Sequence, residues 1–568
     1  MRASRVCLAL CSAVAVLVVT ACASVPETSA PISVRKVHAG LALEQGPNVR
    51  SVPSPPRRGM GPSEIVQGFL DATSGGDPQH DVARKYLTPR AATSWDDGAG
   101  ATVYDGNQVY VNPSRDGSRV ALSVRRVATV GTDGSYTAEP GRLRLTLSLR
   151  KIDGQWRVGS PPPGVFVTSS DFARNYQRVN LYFLGPQHDV VVPDPRYFSV
   201  PAGSLANRMV AALLAGPSSW LSPAVRTAVP SGVTLRRNIV QSSPVITVDL
   251  SGLGSMTSGQ LMGMSAQIVW TLDQLNSDPV QILADGQPLT VPGVGIEQQQ
   301  SDWQSFDPDA LPTSASAYFL ADGAVWTQDG RIDGPAGTGA YGLSSVAVGL
   351  NRGMLAGVNI RTGSEHLFVG PLGGSLTDRL HATTLTPPTW ERDSSAVWTV
   401  RDGVDLVSVP VHGAAQVVAA PELARYAPIT QLQLSRDGTR VALIGRGRLY
   451  VGRVSTQSGT TTVDGLRPAG ADLSEATDVS WASATELAAL APNASSARVP
   501  WQIQMDGSAE AAQSTAGLPG PPTAVAAAPE HLTLVSSAGS MWLLADRSWN
   551  QLLRNNQLIY AVAPTYPG

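Results

Sequence analysis

Residues 441–450 read Val-Ala-Leu-Ile-Gly-Arg-Gly-Arg-Leu-Tyr, two short apolar runs separated by a glycine-containing turn. Two strands joined in this way form a β-hairpin. A strand-like run followed by a turn comes just before the hairpin, around Ser435. Similar runs recur near Leu350, Trp390, Trp481 and Ala527, so the spacings are 40, 45, 46 and 46 residues. A period of about 40 to 50 residues with several strands per unit is typical of a β-propeller, and we predict an all-β propeller over residues 310–568.

The two ends of this region each carry part of a unit. The hairpin at 318–326 has no strand pattern before it, and the run at 558–563 has no hairpin after it. We therefore expect the two ends to complete one blade together. Counting that shared blade gives six blades, and five or seven stay open because the repeats are degenerate.

Residues 179–296 show a mixed helix and strand pattern. The apolar residues of its last helix are spaced three and four apart, which indicates one buried stripe. In chain order the segment has a strand, a helix, Gly-Pro, Pro-x-Gly, a strand, a helix, a strand and Asp-Gly, at 179–184, 205–214, 216–217, 230–232, 246–250, 261–275, 280–283 and 285–286. This ordered pattern resembles the spore-germination GerMN domain, which implies an α+β fold.

Residues 61–178 begin with helices and continue with strands. Pro62 can open a helix in which Ile65, Phe69 and Ala72 share one face, and a second helix is predicted at 79–87. Alternating strand patterns separated by Asp-Gly dipeptides follow at 102–111, 119–130, 143–149 and 155–158. Helices followed by a curved antiparallel sheet predict an α+β domain of the nuclear-transport-factor-2-like (NTF2-like) kind.

The start of the chain predicts export. Arg2 and Arg5 precede an apolar run at 6–19, so residues 1–21 have the shape of a signal peptide. A spanning helix needs about 20 apolar residues, and this run is shorter. An uncleaved signal anchor is the alternative, and both interpretations place the bulk of the chain outside the plasma membrane.

The predicted signal peptide ends in Val19-Thr20-Ala21-Cys22. This stretch resembles the lipobox of bacterial lipoprotein precursors. The resemblance implies cleavage after Ala21, followed by S-diacylglycerol and N-acyl modification of Cys22. Two or more acyl chains hold a protein durably on a membrane. The proline-rich residues 22–60 then predict a flexible tether.

Composition bounds the partners and the chemistry. The 568 residues are too many for one core, and about three domains are expected. The net charge is -2 and only 15% of residues are charged, so no basic field exists to attract nucleic acid. Because Cys7 and Cys11 lie in the predicted signal peptide, the mature chain would hold only Cys22, which excludes disulfides and thiolate metal sites.

Local catalytic and metal motifs are missing from the sequence. The spacing Gly-x-Gly-x-x-Gly at 337–342 precedes an apparent strand at 343–348, whereas a dinucleotide site needs a following helix. No two of the seven histidines come within five residues of each other, and no phosphate-binding loop or nucleophile elbow occurs. We predict no cofactor, no metal and no enzyme, although a triad assembled from distant blades stays open.

Two further residue sets allow a functional and a structural interpretation. The Asp-Gly turns at Asp322, Asp402 and Asp437 could supply calcium ligands, but the turns explain these residues without metal. Tryptophans could form a sugar-stacking surface, but most fall at strand positions where blade packing needs bulk: Trp326, Trp390, Trp398, Trp481, Trp501 and Trp542. We expect turn and core roles.

The whole architecture resembles the actinobacterial lipoprotein LpqB family, as do the stretches at 65–70 and 86–88. The resemblance implies an extracytoplasmic protein anchored through Cys22. It also implies a partner, the extracytoplasmic domain of the sensor histidine kinase MtrB, with influence on signalling to the response regulator MtrA and on the cell envelope. The alternatives are a cell-wall glycan or peptide binding protein and a cryptic propeller hydrolase.

Overall fold

A computed structural model describes residues 53–75, 79–187, 189–199, 205–239, 244–312, 315–351, 353–361, 363–554, 557–558 and 560–568. Cys22, the predicted signal peptide and most of the predicted tether lie outside these residues. The described residues form two α+β domains followed by an all-β propeller, as predicted. No helix within them is both long enough and apolar enough to cross a membrane.

The first domain packs helices against a five-stranded sheet. Its helices are α1 Pro62–Thr73, α2 Asp81–Arg84, α3 Pro89–Ser94 and α4 Ser169–Asn175. Its strands are β1 Ala101–Pro113, β2 Arg119–Val130, β3 Tyr136–Ile152, β4 Gln155–Val158 and β5 Val165–Thr168, in the order β4-β3-β2-β1-β5. The predicted face of α1 is confirmed, since Ile65, Phe69 and Ala72 are each 1% exposed.

The predicted helix at 79–87 is wrong in length. Only α2 is helical, because Leu87 forms a bridge with Val158 and Thr88 donates its N–H to the Val158 carbonyl at 2.9 Å. Thr88 also precedes Pro89, which disfavours a helical conformation at Thr88. The chain therefore leaves the helix, touches the sheet and begins α3.

The second domain pairs a long helix with two small sheets. Its strands are β6 Tyr176–Leu184, β7 Val191–Ser199, β8 Thr234–Leu235, β9 Ile246–Ser251, β10 Val280–Ala284, β11 Gln287–Pro288 and β12 Glu297–Gln298. Its helices are α5 Leu205–Ala215 and α6 Ser258–Asn276, followed by a 3₁₀ helix at Gln300–Phe306. The start of α6 has a capping box, in which Gln260 N donates to Thr257 Oγ1 and Thr257 N donates to Gln260 Oε1.

The remaining strands form six four-stranded antiparallel sheets among the described residues. The first contains β13 Tyr318–Ala321, β14 Ala324–Thr327, β15 Gly330–Arg331 and the late strand β38 Val562–Thr565. Short helices α7 Gly334–Gly337 and α8 Leu423–Tyr426 lie in connections. The expected joining of the two ends is confirmed, but the closing strand lies at 562–565 rather than 558–563.

The other five sheets follow in sequence. The second and third contain β16 Leu343–Val348, β17 Met354–Arg361, β18 Ser364–Pro371, β19 Thr377–Ala382, β20 Thr389–Trp390, β21 Ala396–Arg401, β22 Asp405–Pro410 and β23 Gln416–Val417. The fourth and fifth contain β24 Ile429–Leu434, β25 Arg440–Gly445, β26 Arg448–Gln457, β27 Thr460–Pro468, β28 Asp478–Ser483, β29 Glu486–Pro492, β30 Arg498–Gln504 and β31 Glu510–Ala512. The sixth contains β32 Pro522–Ala526, β33 Leu534–Ser537, β34 Ser540–Ala545 and β35 Ser548–Gln551, and a separate pair is β36 Leu553–Arg554 with β37 Gln557–Leu558.

The turns of each sheet lie at the two ends of its strands. In a four-stranded antiparallel sheet, the first and third turns lie at one end of the strands and the second turn lies at the other end. The hairpin quoted first, β25 with β26, turns at Arg446 and Gly447, both with positive φ. The turn between β24 and β25 lies at the opposite end of the strands and contacts the second domain.

Candidate functional site: the joint between the propeller and the amino-terminal domains

Contacts between the propeller and the second domain form one set of residues, here called the joint. Its propeller residues are Asp437, Arg440, Arg453, Gly465, Ala484, Asp506 and Ser508, and its residues from the second domain are Pro193, Tyr197 and Trp220.

The centre of the joint is the turn between β24 and β25. Asp437 Oδ1 accepts hydrogen bonds from Ser435 Oγ at 2.6 Å, Thr439 Oγ1 at 2.7 Å and Thr439 N at 2.8 Å. Arg440 N donates to Ser435 Oγ at 3.0 Å. Gly438 has φ +73°, a backbone conformation that residues with a Cβ rarely adopt. Short polar side chains therefore hold the turn from within, as the Asp-Gly sequence predicts.

Arg440 links this turn to two other parts of the molecule. Its side chain is 0% exposed and donates from one terminal nitrogen to Asp437 Oδ2 at 2.7 Å and to the Ala484 carbonyl at 3.3 Å. The other terminal nitrogen donates to the Pro193 carbonyl in the second domain. Removing one member of such a buried pair leaves an uncompensated charge, which makes the contact costly to break.

Tyr197 on β7 provides a second contact. Its hydroxyl lies 3.0 Å from Asp506 Oδ2 and 2.5 Å from Ser508 Oγ, in the turn between β30 and β31. Burial, and then the Asp506 carboxylate, raise the pKa of Tyr197 well above its ordinary value. The phenol therefore stays protonated and remains a hydrogen-bond donor.

Trp220 provides a third contact. The indole N–H donates to the Gly465 carbonyl at 2.7 Å, and Arg453 donates to the Trp220 carbonyl at 2.6 Å. Arg453 also forms an ion pair with Asp464 at 2.6 Å. The Arg467 guanidinium lies 5.2 Å from the centre of the Trp220 ring, within cation–π range. The indole is therefore held by the propeller on its edge and on its face.

A second buried arginine connects the first and second domains. Arg196 on β7 is 1% exposed and forms an ion pair with Asp194 at 2.6 Å. It also donates to the Asp133 carbonyl of the first domain at 2.8 Å. Ser218 N donates to Asp194 Oδ2 at 2.7 Å, so this carboxylate is also tied to its own domain. Buried charges therefore occur at both domain boundaries.

The segment leading into the propeller also reaches the joint. Asp309 Oδ1 accepts a hydrogen bond from Ala484 N at 2.6 Å. Burial, and then the Asp307 carboxylate, raise the pKa of Asp309 to about 7. Beside it, burial lowers the pKa of Arg436 to about 10, while this side chain donates to the Trp481 carbonyl at 3.1 Å.

Hydrogen bonds at the two boundaries restrain the orientation of the domains relative to one another. The described residues from 53 onward belong to one compact unit, which is crossed by buried, directional hydrogen bonds at two domain boundaries. Backbone carbonyls accept from buried arginines at both boundaries, so small rotations of one domain would break strong charge-assisted bonds. The three domains therefore present their surfaces in a fixed arrangement.

The structure places the other candidate residues in structural roles. Asp322 and Asp402 have φ +52° and +53° and sit in the turns between β13 and β14 and between β21 and β22. Within the described residues, no three His, Cys, Asp or Glu side chains are grouped to hold a metal ion. Residues 337–342 run from the last residue of α7 to the start of β16, which confirms a blade connection.

The tryptophans divide into two groups. Trp390, Trp398 and Trp481 are 1%, 2% and 3% exposed, as expected for propeller core. Trp326, Trp501 and Trp542 are only partly buried. The core assignment is therefore confirmed for the first three.

Apart from the turn residue Asp437, sequence reasoning missed the residues of the joint. The Ser-Arg-Asp-Gly-Thr-Arg stretch at 435–440 signals its turn but not its partners, since Pro193 is far away in the chain. A buried arginine cannot be distinguished from a surface arginine by local pattern.

Known families cover most of the chain. Three family models match: "Lipoprotein LpqB, N-terminal domain" at residues 55–173, "Sporulation and spore germination" at 180–290 and "Lipoprotein LpqB beta-propeller domain" at 323–567. Lipoprotein LpqB of Thermobifida fusca is 29% identical over 100% of both chains, and that of Nocardia farcinica is 31% identical over 82% of each. Among solved structures, TolB from Acinetobacter baumannii matches with a TM-score of 0.33 and 11% identity over 50% of this chain and 75% of TolB.

Proposed function

The chain belongs to the lipoprotein LpqB family, and from this membership we propose that it is an accessory protein of a sensor histidine kinase of the MtrB type. In this proposal it is held on the extracytoplasmic face of the plasma membrane by lipidated Cys22. It binds the extracytoplasmic domain of the kinase and thereby changes signalling to an MtrA-type regulator. It acts on the kinase by binding rather than by catalysing a reaction.

The predicted anchor supports this proposal because it raises the effective concentration of the partner. Two proteins held on one membrane meet far more often than two free proteins, so a weak contact can be occupied. The predicted tether at residues 22–60 would let the folded domains reach a neighbouring ectodomain.

The joint is the structural observation that carries the proposal. A protein that changes the activity of a kinase must prefer one kinase conformation over another. Domains connected through Arg440 and Arg196 keep their surfaces in fixed relative positions. Such a rigid body can favour one arrangement of a partner, whereas freely rotating domains would adapt to several.

The contact is tested by crosslinking in intact cells. A photo-crosslinking residue is placed at Val404, which is 45% exposed in the turn between β21 and β22, and separately at Ile360, which is 69% exposed beside the turn between β17 and β18. These turns lie at the ends of the strands opposite to the ends that form the joint. We expect the kinase ectodomain among the captured proteins, identified by mass spectrometry.

The matched control is Cys22→Ala with the same crosslinker. We expect this variant to leave the membrane fraction and to lose the crosslink, while the purified ectodomains still associate in solution at high concentration. If the purified ectodomains show no association and deletion of the protein leaves regulator phosphorylation unchanged, the proposal is wrong. Retention on purified peptidoglycan in place of kinase association would favour cell-wall binding.

A further inference from the structure

The second propeller sheet carries a cluster of reactive side chains away from the joint. Ser364 and His366 lie two residues apart on β18, so both point to the same face of the sheet. The neighbouring strand β19 pairs His381 with His366, and a register shift then pairs Asp378 with Phe368. This register brings together residues that are too far apart in sequence to form a local motif.

The three polar groups form a directed hydrogen-bond chain. Ser364 Oγ lies 3.0 Å from His366 Nε2, and His366 Nδ1 lies 2.8 Å from Asp378 Oδ2. An ionised carboxylate only accepts hydrogen bonds, so Nδ1 carries the imidazole proton. Nε2 then has a free lone pair, and the Ser364 hydroxyl donates to it. A nucleophile, a general base and a carboxylate that orients the base stand in this order.

The surroundings fix the imidazole ring while leaving the site reachable. The His366 side chain is 19% exposed and Asp378 is 40% exposed. The His366 ring stacks on His381 with a centroid distance of 5.7 Å and lies 6.5 Å from the Phe368 ring. These contacts restrict rotation of the ring, so its two nitrogens stay aimed at the hydroxyl and the carboxylate.

A glycine-rich loop borders the cluster. Asn359 on β17 is the direct cross-strand neighbour of His366, and its Nδ2 donates to the Tyr341 carbonyl at 2.6 Å. Tyr341 belongs to the loop at 337–342, and its ring lies 5.2 Å from the Phe368 ring. The site therefore has a wall formed by the connection between the first and second sheets.

We propose that Ser364 is an activated nucleophile that accepts an acyl group from an ester. His366 Nε2 takes the proton from Ser364 Oγ as this oxygen bonds to the carbonyl carbon. The carbon–oxygen bond to the alcohol then breaks, and the proton passes from His366 to the leaving oxygen. The products are an acyl-serine and a free alcohol. This covalent chemistry is separate from the proposed kinase binding.

The proposal is tested by labelling the full chain with a fluorophosphonate probe. Ser364 Oγ would bond to phosphorus while the phosphorus–fluorine bond breaks and fluoride leaves. We expect one adduct, mapped to Ser364 by peptide mass spectrometry, and complete loss of it in Ser364→Ala. The matched control Ser375→Ala removes an exposed hydroxyl from the connection between β18 and β19 and should label like the parent protein.

Two more variants separate activation from simple exposure. General base catalysis contributes about 100-fold or more, so His366→Gln should slow labelling by at least about 100-fold. Asp378→Asn should slow it by about tenfold or more because the preferred imidazole tautomer is lost. Both variants should keep the thermal unfolding temperature of the parent protein.

The proposal is overturned by any of three results. These are absence of the adduct in the folded parent protein, an adduct mapped to another residue, or labelling rates that His366→Gln leaves unchanged. A cluster that only stabilises the sheet would give the first or third result.

Discussion

The molecule contains almost the same nine residues twice, in very different surroundings. Residues 114–122 read Ser-Arg-Asp-Gly-Ser-Arg-Val-Ala-Leu, and residues 435–443 differ only by Thr439 in place of Ser118. The first copy joins β1 to β2 in the first domain, and the second joins β24 to β25 in the propeller. The first is an exposed turn, whereas the second is buried in the joint.

Both copies fold in the same way. Asp116 Oδ1 accepts from Ser114 Oγ at 2.7 Å, as Asp437 Oδ1 accepts from Ser435 Oγ at 2.6 Å. In each copy the backbone N–H of the second arginine donates to the Oγ of the first serine at 3.0 Å. The comparison teaches that the local sequence determines the shape of the turn, while distant residues determine what the turn does and how much stability depends on it.

The largest expected difference lies at the second arginine of each copy. Arg440→Ala should lower the free energy of unfolding of the propeller by about 3–5 kcal/mol, because Asp437 is left buried without its counter-charge. Arg119 is exposed, and Arg119→Ala should change it by no more than about 0.5 kcal/mol. Urea unfolding of the full chain, followed by tryptophan fluorescence, measures both. Equal effects would show that burial of the second copy is energetically unimportant.

The surroundings of the buried copy should also respond to pH, through Asp309. Since the pKa of Asp309 is raised to about 7, its folded form binds an extra proton between about pH 4 and pH 7. Its stabilising contribution is complete below about pH 4 and is lost as pH rises to 7, with a slope of at most about 1.4 kcal/mol per pH unit. Asp309→Asn should flatten this part of the profile of unfolding free energy.

The control for this experiment is the parent protein, because other groups share the slope. Burial also raises the pKa of Asp478 and of Glu510 to about 7. Only the difference between the parent protein and Asp309→Asn reports on the joint. Parallel profiles would mean that Asp309 does not titrate differently on folding.

In a third prediction, the substitution in the exposed copy has the larger effect on stability. A Cβ on Gly117 would lie 2.8 Å from Trp156 Cζ2, whereas a Cβ on Gly438 would lie 3.7 Å from its nearest neighbour, Arg392 Cβ. Both glycines have positive φ, which costs about 1–2 kcal/mol for alanine. Gly117→Ala should therefore be more destabilising than Gly438→Ala, although it lies in the exposed turn. Thermal unfolding of the two variants checks this order.

The smallest effect concerns the exposed carboxylate. Hydrogen bonds from Ser114 and Ser118 lower the pKa of Asp116 to about 2. The stabilising contribution of this carboxylate is present above its ordinary pKa of about 3.9 and is lost as pH falls through about 2. Carboxyl NMR titration should show the low pKa, and Ser114→Ala should move it towards the ordinary value. An unchanged pKa in that variant would contradict the role of the hydroxyl.

Much of the fold was predictable because its signals are local. The Asp-Gly turns, the apolar face of α1 and the strand β16 follow from neighbouring residues in the sequence. The end of α2 was not predicted, because it depends on the bridge between Leu87 and Val158. The residues that stabilise the joint were also not predictable from local sequence, since the partner of Arg440 is the distant Pro193.

The reactive cluster shows the limit of searching by spacing. The spacing of the histidines excludes only a motif within one short segment, and strand register stacks His366 on His381, 15 residues away. Ser364, His366 and Asp378 are also close in the structure because β18 and β19 are adjacent. A period-two search along paired strands would have found them, but the pairing itself is not visible in a single sequence.

The ring closes through a pairing between its beginning and its end. Tyr318 in the first hairpin pairs with Thr565 in β38. Because the chain emerges from its amino-terminal end, this hairpin appears long before its partner strand, and its free edge can meanwhile pair wrongly. The first two domains are built from contiguous segments and can fold earlier. Completion of the propeller is therefore a late event in biogenesis, and a folding helper would be needed most during the interval before the ring closes.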